Sequence, residues 1–534
     1  MKRALRAGLA LGVLWMCLTV SAAARADMAR LIPEDAIVYA ELREPKAVLK
    51  LLEGWLKGIA GPMGDPMAEG MGQAAKELGM TAEQLRAEIE KAGGVAFAFT
   101  GIDMVEEAPL LMVMGDLRQS ALLREALAKK MAGEADGIAA TVQGVNIYSG
   151  DEDAWTCVVD GYVMIATRRS LVEATIKRVK AQGGASLATS TRFRKIHAEL
   201  DPRAVAVAYV DAPMLHKLLQ KVQVEEEEVA AVDAALDLKT IECLFASLTI
   251  NEKTTLIKSS LIFNGPNRTY AALRTRTGAR SAERFFSDKY GLVTSGTLIN
   301  GRAQWRSFRD VVTRTMIAAG EDADDFVTGV GELEKALDVK VEDELANVTE
   351  YGVGLMGGKR GFNGPPDVLF AVKVKDVARV RALMAKVEKV ATDEIDGLVV
   401  REKDVEGVKV RYAAADEVDS DYAYAIAGDW VLLSNHEAAV SNAIRTRKSN
   451  KCILDAPGAK KVLANLQDPN AKLLLINVMG ILGDVPRNEN APPPAMFGVT
   501  SVEKPLRIDI VEDVSQFGDL IRLFFGLMMQ GMRM

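Results

Sequence analysis

Carboxylates are concentrated in one short loop of this sequence, where Asp151, Glu152 and Asp153 stand just before Ala154 and Trp155. Groups at this density could bind a cation or share a proton, or they could keep the tip of a hairpin in water. The loop lacks the ligand spacing, central glycine and closing glutamate of an EF-hand. The pattern therefore favours a solvated hairpin tip, and cation binding is the alternative.

Histidine is the residue that most often serves as a general base or zinc ligand, and this chain has only three. They are His197, His216 and His436. None stands at the H-x₃-H or H-E-x-x-H spacing of zinc sites, and no G-x-S-x-G nucleophile elbow accompanies them. A triad could assemble only from residues distant in sequence. We therefore predict no catalytic and no metal-ligating residue.

Cysteine is as sparse as histidine in the body of the chain. Beyond the N-terminal segment, only Cys157, Cys243 and Cys452 remain. Three thiols are too few for a disulfide framework, so we expect small buried apolar residues. A bridge between Cys157 and Cys243 stays open if the two side chains face each other.

A glycine pattern, Gly352-x-Gly354-x-x-Gly357, superficially resembles a dinucleotide fingerprint. A pyrophosphate site needs a helix to begin there, whereas this sequence continues as a polar loop and another strand. Lys359 is followed by Arg360 instead of Ser or Thr, so no P-loop is completed. We predict no nucleotide and no other cofactor.

Four consecutive glutamates occur in VEEEEVAAVD, residues 224–233. Negative charge in the first turn of a helix opposes the positive end of the helix dipole. The run therefore predicts a solvated helix start, and a calcium or partner-docking patch is the alternative.

The last eighteen residues form the most apolar amphipathic segment of the chain. At helical spacing, one face collects Phe517, Leu520, Ile521, Phe524, Leu527 and Met528. Such a helix predicts docking on its own domain. The alternatives are peripheral contact with a membrane and docking on an unknown protein or envelope partner.

The N-terminus has the pattern of a secretory signal peptide, covering residues 1–26. Basic residues at 2, 3 and 6 precede an apolar stretch, and Ala24-Arg25-Ala26 fits a small-x-small cleavage site. We predict cleavage after Ala26 and export to the periplasm or the extracellular space. The precursor has 534 residues and a formal charge of −7, which becomes −11 once four basic leader residues are removed. This acidity argues against nucleic acid as a partner.

The chain also repeats itself. Paired strands and helices recur in the same order in three pairs of segments: 94–116 and 352–376, 143–179 and 406–446, and 193–211 and 459–479. The spacing predicts two tandem α+β units, 27–275 and 293–534, joined by a connector at 276–292. Hairpin connections favour a mainly antiparallel or mixed sheet with helices packed on one face.

The repeat pairs individual residues, which gives an internal comparison for each candidate group. His197 aligns with Leu463, so its position suits an apolar side chain. The remaining matches are Cys157 with Ala425, Cys243 with Ala495, Asp116 with Asp376 at the end of an apolar strand, and Thr167 with Asn435 as helix caps. The acidic loop aligns with Asp416, Glu417, Asp419 and Asp421, whose different spacing speaks against a shared metal site.

Three features resemble the DUF3352 family. They are the opening LIPEDAIVYAEL, the paired strands followed by an aspartate and a helix, and GGASLATSTRFRKI after a helix. The resemblance implies an exported bacterial protein of unknown function, and it transfers no catalytic residue.

These observations favour a non-catalytic exported protein of duplicated units with a binding or envelope-structural role. One alternative is a periplasmic hydrolase whose residues converge only in three dimensions. A hydrolase would place polar residues that differ between the two copies at one site. The other alternative is a membrane- or lipid-associated protein that uses its apolar C-terminal helix.

Overall fold

A computed structural model shows two compact units in this chain. Unit 1 contains the described residues of 28–221 and 241–263, and unit 2 contains those of 226–240 and 264–516. The structure describes residues 28–56, 66–106, 108–134, 137–150, 154–181, 184–201, 203–221, 226–251, 254–273, 275–276, 280–298, 300–356, 366–395, 397–414, 422–466, 472–477, 496–504 and 506–516.

Unit 1 alternates hairpins with single helices. Its strands are β1 (Val38–Leu42), β2 (Gly94–Asp103), β3 (Ala108–Asp116), β4 (Ile138–Val142), β5 (Val145–Ser149), β6 (Trp155–Val159), β7 (Tyr162–Ala166), β8 (Ala206–Asp211), β9 (Ile241–Ile250) and β10 (Thr255–Phe263). Its helices are α1 (Pro45–Leu56), α2 (Pro66–Glu77), α3 (Ala82–Lys91), α4 (Ala121–Glu134), α5 (Arg169–Ala181), α6 (Thr191–His197) and α7 (Ala212–Lys221). Short 3-10 turns lie at Met28–Arg30 and Leu187–Thr189.

Unit 2 repeats this order. Its strands are β11 (Thr275–Arg276), β12 (Leu292–Leu298), β13 (Val348–Met356), β14 (Asp367–Val374), β15 (Val399–Val405), β16 (Val408–Ala414), β17 (Tyr422–Ala427), β18 (Trp430–Ser434), β19 (Lys472–Asn477), β20 (Met496–Lys504) and β21 (Arg507–Asp513). Its helices are α8 (Glu226–Leu236), α9 (Arg268–Leu273), α10 (Gly301–Ala318), α11 (Ala323–Leu337), α12 (Val341–Leu345), α13 (Val377–Glu394), α14 (Glu437–Ser449) and α15 (Pro457–Asn465). Its 3-10 turns are Leu238–Thr240, Ala282–Phe285 and Ile453–Asp455.

The strand order is the same in the two units. In unit 1 it runs β10-β9-β8-β1-β2-β3-β7-β6-β5-β4, every pair antiparallel. In unit 2 it runs β21-β20-β19-β12-β13-β14-β18-β17-β16-β15, again antiparallel throughout, and the short β11 pairs with the end of β12. The predicted α+β class with two tandem homologous units is confirmed. The predicted unit boundaries stay a prediction, because the structure tests the architecture and not the limits of each copy.

The tight turns of the repeat have a local cause. The β4–β5 hairpin turns at Gln143-Gly144, with φ of 49° and 78°, and β15–β16 turns at Glu406-Gly407, with φ of 56° and 83°. Two consecutive residues with positive φ form a type I′ turn, whose twist matches that of the strands it joins. Glycine at the second position fits this conformation without steric strain.

Hydrogen bonds at the strand ends fix which residues of the two units correspond. The Asp211 N–H donates to Ile37 O at 2.8 Å, and the Asn477 N–H donates to Gly291 O at 2.7 Å. Because Asp211 pairs with Cys243 and Asn477 with Met496, Met496 is the residue that corresponds to Cys243. The predicted match with Ala495 is therefore wrong by one residue.

The register also corrects the predicted match of Asp116 with Asp376. The same hydrogen bond recurs in both units, Leu117 N–H to Gly161 O at 2.9 Å and Val374 N–H to Asp429 O at 2.9 Å. Asp116 therefore corresponds to Lys373. Asp376 instead caps α13, accepting from the Arg379 N–H at 3.0 Å.

Thr167 and Asn435 hold a strand in place and do not cap a helix. Thr167 Oγ1 donates to Pro109 O at 2.7 Å and accepts from the Leu111 N–H at 2.9 Å. Asn435 Nδ2 donates to Pro366 O at 3.0 Å, and Asn435 Oδ1 accepts from the Val368 N–H at 2.8 Å. Each side chain thus fastens the first residues of β3 or β14. The predicted capping role of this pair is wrong, although the match between the two residues holds.

Each unit has one main core beneath the same face of its sheet. In unit 1, α5 and α6 cover this face, and Ile176 and Phe193 pack against Tyr39 and Met114. In unit 2, Phe285, Phe286 and Tyr290 join the equivalent core, so residues from the predicted connector are packed inside the unit. Further helices cover parts of the opposite face, with α3 and α4 at one place and α7 at another.

Candidate functional site

Two of the sequence-predicted sites lie outside the described residues, namely the acidic tips at 151–153 and 416–421. The same holds for the apolar tail at 517–534, for Gly357 and for Lys359. Of the glutamate run, the backbone of 226–228 begins α8, and nothing is described for the side chains. The metal-binding alternative for these loops stays a prediction.

The two buried thiols are far apart in the sheet of unit 1. Cys157 on β6 and Cys243 on β9 are separated by five strands, so their backbones lie roughly 29 Å apart at the usual strand spacing. Disulfides need α-carbons closer than about 7 Å, and the bridge left open by the sequence does not form. Burial raises the pKa of both thiols to about 12, which keeps them protonated and unreactive.

His197 sits in a polar constellation that only unit 1 has. Its Nε2 lies 2.9 Å from Nη2 of Arg43, and Arg43 pairs with the buried Glu41 at 2.7 Å. Glu41 also accepts from the Met28 N–H at 3.1 Å. Because arginine only donates hydrogen bonds, Nε2 must be the acceptor, and its lone pair is used. His197 is therefore a poor general base, and its ring stacks on Phe193 as an apolar helix residue would.

His436 is held differently. Its Nε2 lies 3.1 Å from Oδ1 of Asp367, and a carboxylate only accepts, so this nitrogen carries the proton. The buried Tyr290 also belongs to this end of the sheet, and burial, together with the Asp367 charge, raises the pKa of its hydroxyl. Asp367 orients the imidazole as carboxylates do in acid–base pairs. The hydroxyl of Ser434, two residues before His436, donates to Val368 O at 2.7 Å.

His216 and Cys452 bring no further groups together. His216 lies on α7 with its Nε2 3.0 Å from the Gln220 amide nitrogen, and Cys452 is half-buried beside Asp455. Within the described ranges, no cluster of three or more histidine, cysteine, aspartate or glutamate side chains is placed to hold a metal ion. Among the helices described, none combines the length and the apolar content needed to cross a membrane.

The glycine pattern of β13 makes room for aromatic rings. A β-carbon on Gly354 would lie 2.5 Å from Cδ1 of Phe286 and 2.7 Å from Cδ1 of Tyr290, and one on Gly352 would lie 2.8 Å from Phe286. In unit 1 the corresponding residues are Ala96 and Ala98, above which Ile32 replaces the phenylalanine. The packing of these rings accounts for Gly352 and Gly354, and the prediction that the pattern holds no nucleotide stays a prediction.

Sequence reasoning missed a buried carboxylate that ties two helices of unit 1 together. Glu88 of α3 accepts from the Leu122 N–H (3.1 Å) and the Leu123 N–H (3.4 Å) in the first turn of α4, and from Lys91 Nζ at 2.6 Å. Ser120, which would normally cap α4, donates instead to Glu88 O. The Lys91 ammonium and these backbone donors lower the pKa of Glu88.

The second copy carries a glutamate at the matching place. Glu344 stands six residues before Glu350, as Glu88 stands six before Gly94, and its carboxylate pairs with Arg379 Nη2 of α13 at 2.6 Å. A comparison extended upstream of β2 and β13 would have found this shared acid. Unit 2 has a further buried pair in Arg280 and Glu283, 2.8 Å apart.

The sheet face opposite the main core carries a short row of exposed apolar side chains in unit 1. We define the apolar row of unit 1 as Phe97, Val113 and Ile165, which pair across β2, β3 and β7. Val113 is 39% exposed and Ile165 is 43% exposed, and Phe97 is half-buried. Two exposed apolar side chains beside a half-buried phenylalanine form a small apolar patch on this face of the sheet.

The same row recurs in unit 2. Val353, Phe370 and Leu433 pair across β13, β14 and β18 at the equivalent register, and Phe370 is 43% exposed. Leu433 is half-buried and packs against the cluster of Val374, Val380 and Val431, so the exposed members of the two rows are Val113, Ile165 and Phe370. Exposed strand positions accept threonine or lysine readily, so the fold does not require apolar side chains at the three exposed positions.

A family profile described as "Protein of unknown function (DUF3352)" matches residues 92–410 and 357–498, which together span most of the sequence. The chain belongs to the DUF3352 family. The two matched segments agree with the duplication, and the family description assigns no activity. No curated protein matches this DUF3352 chain.

Among solved structures, this DUF3352 protein is similar to TP0453. Crystal form IV is 13% identical, covers 44% of this chain and 79% of TP0453, and gives a TM-score of 0.26. Crystal form III of TP0453 is also 13% identical, and the match covers 45% of this chain and 82% of TP0453 with the same TM-score. A likeness at this TM-score carries no argument about fold or function.

Proposed function

We propose that this protein is a non-catalytic exported protein of the bacterial envelope, and that its sheets bind an apolar partner surface. The observation that carries the proposal is the apolar row, present at equivalent positions in both units and exposed at Val113, Ile165 and Phe370. Burying such a row on a partner contributes roughly 25 cal/mol per Å² of apolar area. The signal-peptide pattern at 1–26 supports export.

The buried charges support a structural use of the polar residues. Glu41 with Arg43, Glu88 with Lys91 and Arg280 with Glu283 each fasten one segment to another. Carboxylates in such pairs are occupied by their partners. Among the described residues, the apolar row is then a surface feature that both units have in common.

A photo-crosslinking amino acid at Val113 tests this proposal in cells. The matched control is Leu122 on α4, an apolar side chain that is 52% exposed but lies outside the row. We expect one major adduct in the envelope fraction from position 113, much weaker from position 122, and lost when Ile165 is replaced by lysine. The protein should begin at Asp27 in that fraction. Equal adducts from both positions, or a leader retained inside the cell, would contradict the proposal.

A second candidate function, a periplasmic hydrolase, is favoured by the pair of Asp367 and His436. The polar groups Tyr290, Asp367 and His436 are peculiar to unit 2, as a site that arose in one copy would be. In this case, hydrolysis of simple esters or phosphate esters should be lost in His436→Ala and retained in His216→Ala. Equal rates in both variants and the unaltered protein would rule this candidate out.

A further inference from the structure

The outer strands of the two sheets differ in how they are protected. β4 stands at one end of the strand order in unit 1, and β15 stands at the equivalent end in unit 2. Among the described strands, β4 pairs only with β5 and β15 pairs only with β16. An outer strand carries backbone N–H and C=O groups that no neighbouring strand occupies, and proteins commonly protect such a strand with charged side chains.

Charged side chains protect β15 but not β4. The sequence of β15 is VVREKDV, and its four charged residues at 401–404 are all exposed. The sequence of β4 is IAATV, which contains no charged residue, although Ile138 is 58% exposed. An uncharged outer strand is open to pairing with another extended chain. Unit 1 therefore has a strand edge that unit 2 protects.

The turn between β4 and β5 determines which backbone groups face outward. Val142 and Val145 flank a two-residue turn and form a hydrogen-bonded pair, so the next pair, Thr141 with Asn146, is not hydrogen-bonded. The backbone N–H and C=O of Thr141 consequently point away from β5. A bulge over 138–140 limits the regular part of this edge to the residues next to the turn.

The main core of unit 1 is also less covered beneath this edge. Ala140 and Val142 of β4 and Leu171 of α5 are half-buried against the core. α5 packs mainly on β5, β6 and β7, whereas its counterpart α14 packs on the outer strand β15 as well. The helix of unit 1 thus covers less of the outer strand than the helix of unit 2 does.

A salt bridge closes the same place in unit 2. The equivalent turns align Ala140 with Lys403, and the equivalent helix starts align Arg169 with Glu437. Lys403 Nζ lies 3.3 Å from Glu437 Oε1 and joins the outer strand to the helix. In unit 1, Arg169 is 47% exposed and pairs with Glu173 of its own helix at 2.6 Å. Exposed pairs of this kind contribute little stability, so the guanidinium can exchange its partner at small cost.

We propose that the β4 edge of unit 1 binds an extended segment of another protein by strand addition. The β4 edge is defined as residues 138–142 together with Arg169 and Leu171 of α5. Open backbone groups select a second extended backbone, and alternate apolar side chains of that segment cover Ala140 and Val142. A carboxylate of the segment pairs with Arg169.

The charge at this edge favours a partner protein over a second copy of this chain. Arg169 calls for an acidic residue, and β4 itself has no carboxylate to offer. The β4 edge is also separate from the apolar row, whose side chains lie on the opposite face of the sheet. The proposal therefore does not depend on the function proposed above.

Short labelled peptides test strand addition on the full-length protein. The acidic probe alternates valine with threonine and begins with glutamate, and the basic probe begins with lysine instead. Two further acidic probes carry N-methyl groups on one or the other alternate set of amides. By fluorescence anisotropy, we expect saturable binding of the acidic probe and several-fold weaker binding of the basic probe. One N-methylated probe should bind roughly tenfold more weakly, as expected for about two lost hydrogen bonds, and the other should bind normally.

Matched variants of the two outer strands place the binding site. Thr141→Pro removes the outward N–H and leaves the pairing with β5 in place, and Asp404→Pro is the equivalent change in β15. We expect roughly tenfold weaker binding of the acidic probe in Thr141→Pro and unchanged binding in Asp404→Pro. The double variant Ala140→Lys, Arg169→Glu copies the salt bridge of unit 2 and should also weaken binding. It serves as the second variant if Thr141→Pro does not fold.

Hydrogen exchange locates the bound probe directly. The acidic probe should slow exchange in residues 138–142 and leave residues 399–405 unchanged. The proposal would be overturned by absent saturable binding, by equal binding of both N-methylated probes, or by undiminished binding in the variants of β4. Sedimentation showing that the protein alone dimerises through β4 would also overturn it, because the occupant would then be a second copy of this chain.

Discussion

Replacing Glu88 with alanine is expected to lower the free energy of unfolding by about 2–3 kcal/mol, because the change removes hydrogen bonds to a charged acceptor in a buried site. The carboxylate serves the first turn of α4 and pairs with Lys91, while Ser120 is committed elsewhere. Without it, the N–H groups of Leu122 and Leu123 lose their acceptor. Urea unfolding gives the free energy, and hydrogen exchange of α4 shows whether the loss is local.

Glu344→Ala is the matched control in the second copy. Glu344 is the equivalent glutamate, but the first turn of α13 is capped by Asp376. Glu344 instead pairs with the 44% exposed Arg379, and ion pairs with one solvated partner contribute about 1 kcal/mol or less. The difference between the free energies of unfolding of the two variants measures what the burial of Glu88 and its capping of α4 contribute. If Glu344→Ala destabilised the protein as much as Glu88→Ala, the capping explanation would fail.

The pH dependence of the Glu88 contribution has a definite sign. Because its pKa is lowered in the folded state, the stabilisation is fully present above the ordinary glutamate pKa, 4.5, and is lost as the pH falls through the lowered folded value. The stability difference between the unaltered protein and Glu88→Gln should therefore be constant near neutrality and shrink in acid. A difference that stays the same down to pH 3 would contradict this assignment.

The duplication could be read from the sequence because it rests on apolar periodicity, which the sheet requires. Cys157 was matched correctly with Ala425. Cys157 pairs with Met164 and Ala425 pairs with Leu432 at equivalent positions of the two sheets, and both are small, fully buried side chains. Such positions keep their character when copies diverge. The same apolar periodicity predicted the hairpins and the order of the helices.

Residue matches near strand ends were less accurate, for a physical reason. Bulges in the β2–β3 and β13–β14 pairs, at 99–101 and 348–350, shift the register without leaving a signal in the apolar pattern. Asp116 was matched with Asp376, three residues beyond Lys373, because each aspartate follows an apolar strand and precedes a helix. The role of Glu88 was missed because its carboxylate binds a helix that begins more than thirty residues later, and no local spacing indicates such a contact.

The glycine pattern of β13 leads to a second prediction of large effect. Gly354→Ala is expected to destabilise unit 2 by about 2–3 kcal/mol, in the upper range for inserting a methyl group into a packed core. The new β-carbon would lie 2.5 Å from the ring of Phe286, a fully buried side chain that meets Tyr290 edge-on at 5.2 Å between ring centroids. A rigid ring in that position has little room to move aside.

Unit 1 shows which second change should relieve the clash. Ala98 occupies the equivalent strand position there, below Ile32 where unit 2 has Phe286. Phe286→Ile alone should also destabilise, since it leaves a cavity. The double variant Gly354→Ala, Phe286→Ile should lose less free energy of unfolding than the sum of the two single variants, with a coupling of about 1 kcal/mol or more. The reason is that substitutions at residues in direct contact do not have additive effects.

The fluorescence of Trp430 reports on this core directly, since its ring lies 5.0 Å from that of Phe285. Ala98→Gly in unit 1 is the reciprocal control, expected to cost only about 0.5–1 kcal/mol through backbone entropy. Additive free energies in the double variant would mean that Phe286 does not set the need for glycine. A measured coupling would show that the packing of Phe286 contributes to the need for glycine at position 354, within a Gly-x-Gly spacing that resembles a nucleotide motif in sequence.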